Sequence, residues 1–192
     1  MDSSKLAEKL EGLHQEIHAC RRCPIGKDFL RAKRQLEAVK TPVVVIGQAL
    51  ANKTQRLSGF PYRFPDGTLS KTGRELEDFL EMFGFNLATV YSTDAVKCYP
   101  GKANCGDRQP SGVEQKNCLP WLIREMALVR PVVVITLGKV AADAYKRIES
   151  ELSGRPQVFA VPHPAYFRWK PRETAQIYTS VAENVRSHIK RT

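Results

Sequence analysis

Apolar positions recur along this chain in two rhythms. Leu6, Leu10, Leu13 and Ile17 fall three and four residues apart, which predicts an amphipathic helix over 4–20. It should end at Cys20-Arg-Arg-Cys23-Pro24, because proline cannot continue helical geometry. Pro42-Val-Val-Val-Ile-Gly47 and Arg130-Pro-Val-Val-Val-Ile-Thr-Leu-Gly138 are instead short, unbroken β-branched runs, the pattern of strands buried on both faces of a parallel sheet. A strand over 90–96 and a short one over 158–161 complete the set. Helical patterns cover 72–83, 113–129, 139–152 and 174–190. Thr72 and Glu75 have the spacing of a capping box, and Gly84 supplies a stop. Glycine and proline break every period from 48 to 72, which reads as a loop of a length that is uncommon and often functional, and the segment from 101 to 112 reads as irregular. The alternation predicts one domain over 1–192, a three-layer α/β/α sandwich with a central, mainly parallel four-stranded sheet. In such folds chemistry sits just beyond the carboxyl ends of the strands.

Composition narrows the class. With 42% hydrophobic residues, 12 Gly and 12 Pro in 192, the chain is neither disordered nor collagenous. No stretch approaches the roughly 20 apolar residues that cross a bilayer, and the polar N-terminus lacks a signal-peptide core. The expectation is a soluble, cytoplasmic monomer with no membrane contact and no obligate protein partner. Thirty Lys and Arg against twenty Asp and Glu give +10, enough to hold DNA by counterion release if the charge is clustered. A merely solvated basic surface fits the same count.

Five cysteines are present: Cys20, Cys23, Cys98, Cys105 and Cys118. An odd number without a secretory signal argues against a disulfide framework. Cys20 and Cys23 form a C-x2-C pair, which brings two thiolates to one metal site. Zinc and iron-sulfur clusters both accept four thiolates, and spacing does not separate them. A role as a small buried hydrophobe stays open for any one cysteine, although Asn104-Cys105-Gly106-Asp107 is a polar setting.

Read in order, Cys20-Arg-Arg-Cys23-Pro24, Val45-Ile46-Gly47, Gly59-Phe-Pro61-Tyr62, Thr72-Gly73, Thr93-Asp-Ala-Val-Lys97-Cys98-Tyr-Pro100, Glu114 with Cys118-Leu-Pro-Trp-Leu122, Arg130-Pro131 with Leu137-Gly138, and His163-Pro164 form a set. That set resembles the iron-sulfur uracil-DNA glycosylases, families 4 and 5 of their superfamily. The resemblance implies the uracil-DNA glycosylase fold and a monofunctional enzyme that flips a base from DNA and hydrolyses its N-glycosidic bond. It also implies a [4Fe-4S] cluster on Cys20, Cys23, Cys98 and Cys118, with Cys105 left over in a short insertion.

Base excision needs an aromatic platform, a polar reader, a donor for charge on the departing base and a means of placing water. The resemblance puts the platform on Tyr62 and the donor on His163. A loop tyrosine packed on the sheet and a surface histidine are the plain alternatives. Tyr166, Phe167, Arg168 and Trp169 suit a wedge into the duplex, with Arg168 or Lys170 on phosphate, or else a hydrophobic anchor for their loop.

Two departures from the family pattern bear on the substrate. Where family 4 usually reads G-E-x-P-G, this chain has Gly47-Gln-Ala-Leu-Ala51. Gln48 still donates to a base carbonyl, but it is no anion to steady a sugar cation or orient water. The nearest replacement is Asp66 of Phe64-Pro-Asp-Gly67, close to an acidic position of family 5, or a turn residue and nothing more. Asp94, in turn, stands where the family usually has asparagine. An amide matches the N3 hydrogen and O4 of uracil, whereas an ionised carboxylate repels O4 and accepts from the cytosine amine, a preference worth about 1–3 kcal/mol. A protonated Asp94 would read uracil instead. The expected target is therefore a cytosine-type base. Because removing plain cytosine would be toxic, that base should carry a mark, such as the hydroxymethylated or glucosylated cytosine of phage DNA attacked by similar glycosylases in antiviral defence. Uracil repair is the alternative. Non-catalytic iron-sulfur DNA binding and a zinc-stabilised protein without a DNA role are alternatives of another class.

Overall fold

Four valine and isoleucine side chains in a row, Val43 to Ile46, are buried because helices cover both faces of the strand that carries them. In the computed structural model, which describes residues 3–25, 41–104 and 106–191, the chain runs α1 (Ser3–Ala19), β1 (Val43–Ala49), α2 (Gln55–Ser58), α3 (Lys71–Glu81) and β2 (Tyr91–Val96). It continues through β3 (Lys102–Ala103), β4 (Gly106–Asp107), α4 (Gly112–Val129), β5 (Val133–Leu137), α5 (Lys139–Ile148), β6 (Gln157–Val161) and α6 (Pro171–Ile189). The central sheet has the order β2-β1-β5-β6 and every pairing in it is parallel.

Side chains alternate between the two faces of a strand. Val44 and Ile46 accordingly pack with Leu6, Leu10, Leu122 and Met126 from α1 and α4, together with apolar residues of α5. Val43 and Val45 pack with Leu76, Phe79 and Leu80 of α3 and with Tyr178 and Ala182 of α6. The result is the three-layer α/β/α sandwich that the alternation of strands and helices predicts.

Local differences from the pattern have local causes. The Thr72–Glu75 capping box does not form. An Arg63–Leu69 bridge keeps the chain extended to Ser70, whose hydroxyl caps α3 by accepting from Gly73 N–H at 3.0 Å. The capping box belongs to α4, where Ser111 and Glu114 bond reciprocally and Arg108 grips the Glu114 carboxylate at 2.6 and 2.8 Å. The terminal helix starts at 171 rather than 174, because Pro171 presets the first helical turn. The stretch from 48 to 72 carries the one-turn α2, and that from 101 to 112 the small β3–β4 pair.

Candidate active site

The carboxyl ends of the four central strands open into one cleft of about 960 Å³. Gln48 reaches it from β1, Asp94 from β2, Gly138 from the end of β5 and His163 from the turn after β6. Tyr62 joins them from the segment after α2. Gly47 and Asp94 are register partners, and a Cβ on Gly47 would lie 2.3 Å from Asp94 Oδ1 and 3.3 Å from the Tyr62 hydroxyl. Only glycine lets the carboxylate and the phenol lie together over β1.

Tyr62 adopts a left-handed backbone, φ 61°, uncommon for a bulky residue. Its carbonyl accepts from Ser70 N–H at 2.8 Å. Gly73 packs so closely that a Cβ there would come 2.8 Å from Tyr62 O and 2.9 Å from Tyr62 Cβ. Gly73→Ala should displace the ring and slow single-turnover base release by up to about 100-fold, the scale of a 1 Å misplacement. Unchanged release would show that the ring is not held by this contact.

Burial pushes the Asp94 carboxyl up to about 6; Lys97 opposes this, Glu125 adds to it and a hydrogen bond from Gln55 opposes it. The group is thus ionised at neutral pH and half protonated in mild acid. His163 Nδ1 accepts from the Ala165 N–H at 3.2 Å, which leaves the ring proton on Nε2. Burial lowers its pKa, so the imidazole is a neutral Nε2–H donor.

At the mouth of the cleft stand Tyr166 and Trp169, 53% and 74% exposed. Arg168 and Lys170 are exposed beside them without lining the cleft, and Lys170 pairs with Glu173 at 3.0 Å. Asp66 is not brought to the cleft. Its Oδ1 accepts from the Thr68 N–H at 2.9 Å and hydroxyl at 2.7 Å, bonds that lower its pKa and make it the turn residue of Pro65-Asp66-Gly67. In this arrangement it does not replace the carboxylate that Gln48 lacks.

Cys20 and Cys23 follow α1, Cys98 follows β2, and Cys118 lies in α4; all four are free thiols, and Cys20, Cys98 and Cys118 pack with Leu13, Ile17, Val96 and Trp121. Asn117 Nδ2 donates to Cys23 Sγ at 3.3 Å. Burial pushes the Cys98 thiol up to about 12, and Cys118, Cys20 and Cys23 push in the same direction, so the four lie within electrostatic reach of one another. Among the described residues no three His, Cys, Asp or Glu side chains form a group that could hold a metal ion. Cys105 lies outside the described residues.

The family model of the uracil DNA glycosylase superfamily matches residues 34–185. The chain belongs to this superfamily. It is a DNA glycosylase, an activity that entails binding DNA. It is similar to the Type-4 uracil-DNA glycosylase of Archaeoglobus fulgidus, 26% identical over 86% of each chain. The Type-4 uracil-DNA glycosylase of Pyrobaculum aerophilum is 30% identical over 76% of this chain and 67% of that one. A crystal structure of wild-type SMUG2 from Pedobacter heparinus superposes with a TM-score of 0.68 over 97% of this chain and 99% of that chain, at 11% identity, which shows the shared fold. Among the described residues no helix is long and apolar enough to cross a membrane.

The glycosylase also contains a buried polar network that the sequence pattern did not point out as such. Glu125, on α4, accepts from the Tyr91 hydroxyl at 3.2 Å and the Thr93 hydroxyl at 2.8 Å, pairs with Lys97 Nζ at 2.5 Å and lies 3.6 Å from His14 Nε2. Burial alone would raise its pKa, yet Lys97 and His14 bring it down to about 2. The available signal was a glutamate inside the apolar stripe of Leu122, Met126 and Val129. Removing one partner of such a pair costs about 3–5 kcal/mol, because the other charge is left buried and bare.

Proposed function

We propose that this glycosylase removes a cytosine-type base carrying a modification, with hydroxymethylated or glucosylated cytosine of phage DNA as substrate and antiviral defence as its setting. The observation that carries the reading is the Asp94 carboxylate beside Tyr62, ionised at neutral pH and therefore an acceptor for an exocyclic amine. Tyr62 stacks on the flipped base and Asp94 reads its amine edge. Gln48 donates to a base carbonyl, and His163 Nε2–H stabilises the charge that grows on the departing base. Asp66 would take part as a catalytic carboxylate only on leaving its turn with Thr68.

Uracil is the second reading. It is favoured by the same carboxyl, which near pH 6 becomes a donor towards O4, and by the relatives' name. Incubating the protein with DNAs that carry uracil, cytosine, hydroxymethylcytosine or its glucosylated form, and identifying the released base by mass spectrometry, decides between them. Release of uracil with every cytosine derivative untouched overturns the first reading.

Cys20, Cys23, Cys98 and Cys118 would hold a [4Fe-4S] cluster. Four free thiols within electrostatic reach of one another offer the four thiolate ligands that such a cluster takes. When bound, the group supplies a cross-link between α1, the end of β2 and α4. Anaerobically purified protein is expected to be brown with about four irons per chain, and to stay so when Cys105 is replaced. Colourless protein with one zinc sinks the cluster, and iron loss on changing Cys105 sinks the ligand set.

Trp169 and its neighbours would wedge into the duplex while Arg168 and Lys170 contact phosphate. Arg168→Ala and Lys170→Ala should each flatten the log–log salt dependence of DNA affinity by about one unit. A slope equal to wild type in both variants removes these two residues from the phosphate contacts.

A further inference from the structure

Lys97 lies at the end of β2 with 3% of its surface exposed. Its ammonium has three N–H groups, and each has an acceptor: Glu125 Oε2 at 2.5 Å, Thr93 Oγ1 at 2.7 Å and the backbone carbonyl of Asp94 at 2.5 Å. Glu125 is equally committed, with Tyr91 and His14 on Oε1, and Thr93 and Lys97 on Oε2. A buried ion pair with every proton assigned holds one geometry, since rotation would leave a bare charge in a dry interior. Such a pair is also a poor way to gain stability, because apolar side chains of similar volume serve as well or better. What the pair does hold is one particular peptide. Tyr91 and Thr93 face α4, while the Asp94 side chain turns the other way, over Gly47 and towards Tyr62. The network grips the backbone on which the carboxylate is mounted.

We infer that Lys97, oriented by Glu125, is a positioning residue for base selection: it fixes the Asp94 peptide so that the carboxylate faces the flipped base. The inference rests on Asp94 being the base reader. Lys97 and Glu125 do not line the cleft and act from behind the strand. They should therefore govern which base is released more than how fast any base is released.

The test uses the full chain as purified, with duplexes carrying uracil or hydroxymethylcytosine, and compares Lys97→Met, Glu125→Gln and Asp94→Asn. The readout is the ratio of single-turnover release rates for the two bases, with iron content and thermal midpoint recorded for each variant. Both network variants are expected to change the ratio by about tenfold, the worth of one polar contact to a base edge, Lys97→Met in the direction taken by Asp94→Asn. Equal loss of both rates with the ratio kept, while Asp94→Asn shifts it, makes the network merely structural and overturns the inference. A ratio that Asp94→Asn leaves unchanged overturns the base-reading proposal, and the inference with it. If Lys97→Met fails to fold, the isosteric Glu125→Gln decides alone.

Discussion

Replacing His163 by alanine is expected to slow release of every base by about 10²–10³-fold, the usual cost of losing one donor aimed at a developing oxyanion. The ring is neutral and its Nδ1 is occupied by the Ala165 N–H, so in the proposed role Nε2–H meets the base carbonyl as the glycosidic bond breaks. Charge on that carbonyl exists only near the transition state, so kcat should fall and DNA affinity should not. A Cβ on Gly138 would lie 3.4 Å from that of His163, so the end of β5 runs close beside the histidine. Single-turnover kinetics beside an equilibrium binding curve check the split. Parallel loss of binding and release would assign His163 to the DNA interface instead.

Asp94→Asn should change the preferred base. The amide restores a donor towards O4, so uracil release should rise relative to release of cytosine-type bases by about 10–100-fold, within the 1–3 kcal/mol of a good polar pair. The same group makes the wild-type preference depend on pH. With the carboxyl pushed up to about 6 by burial, ionised Asp94 prevails above that value and protonated Asp94 below it. Release of cytosine-type bases should rise as pH climbs through 6, and release of uracil should fall. In Asp94→Asn, which does not titrate there, both profiles should lose that step. An unchanged step in the variant would assign the titration to another group. Loss of uracil release in the variant would mean that the aspartate acts protonated or orients water.

Gly47 shows how far the sequence could be read at this site. Its place at the end of a buried β-branched run was legible, and so was the loss of the carboxylate at Gln48. Its purpose, to admit the Asp94 carboxylate and Tyr62 hydroxyl over one Cα, was not, because the three residues meet only through the β1–β2 register and the fold of the segment after α2. The Pro65-Asp66-Gly67 turn was written in local chemistry. Tertiary structure decided only that this turn stands away from the cleft, with the Asp66 carboxylate held by its own neighbours.

Local pattern was enough for the four strands of the central sheet, the helices that alternate with them and the order of motifs that marks the superfamily. Periodicity and β-branching act over a few residues, and β1 and β5 are buried as their unbroken apolar runs demand. Which distant groups share a charge environment emerges only once the chain is folded. Cys20 and Cys118, His14 and Glu125, and Asp94 and Gln55 belong to different elements, and the sheet brings each pair close enough to act on one another. Interactions of that kind depend on distance and burial, which no spacing along a chain encodes. For that reason the class of enzyme could be read from residue types, while the protonation of Asp94 and His163, on which the proposed choice of base and breaking of its bond rest, required the folded molecule.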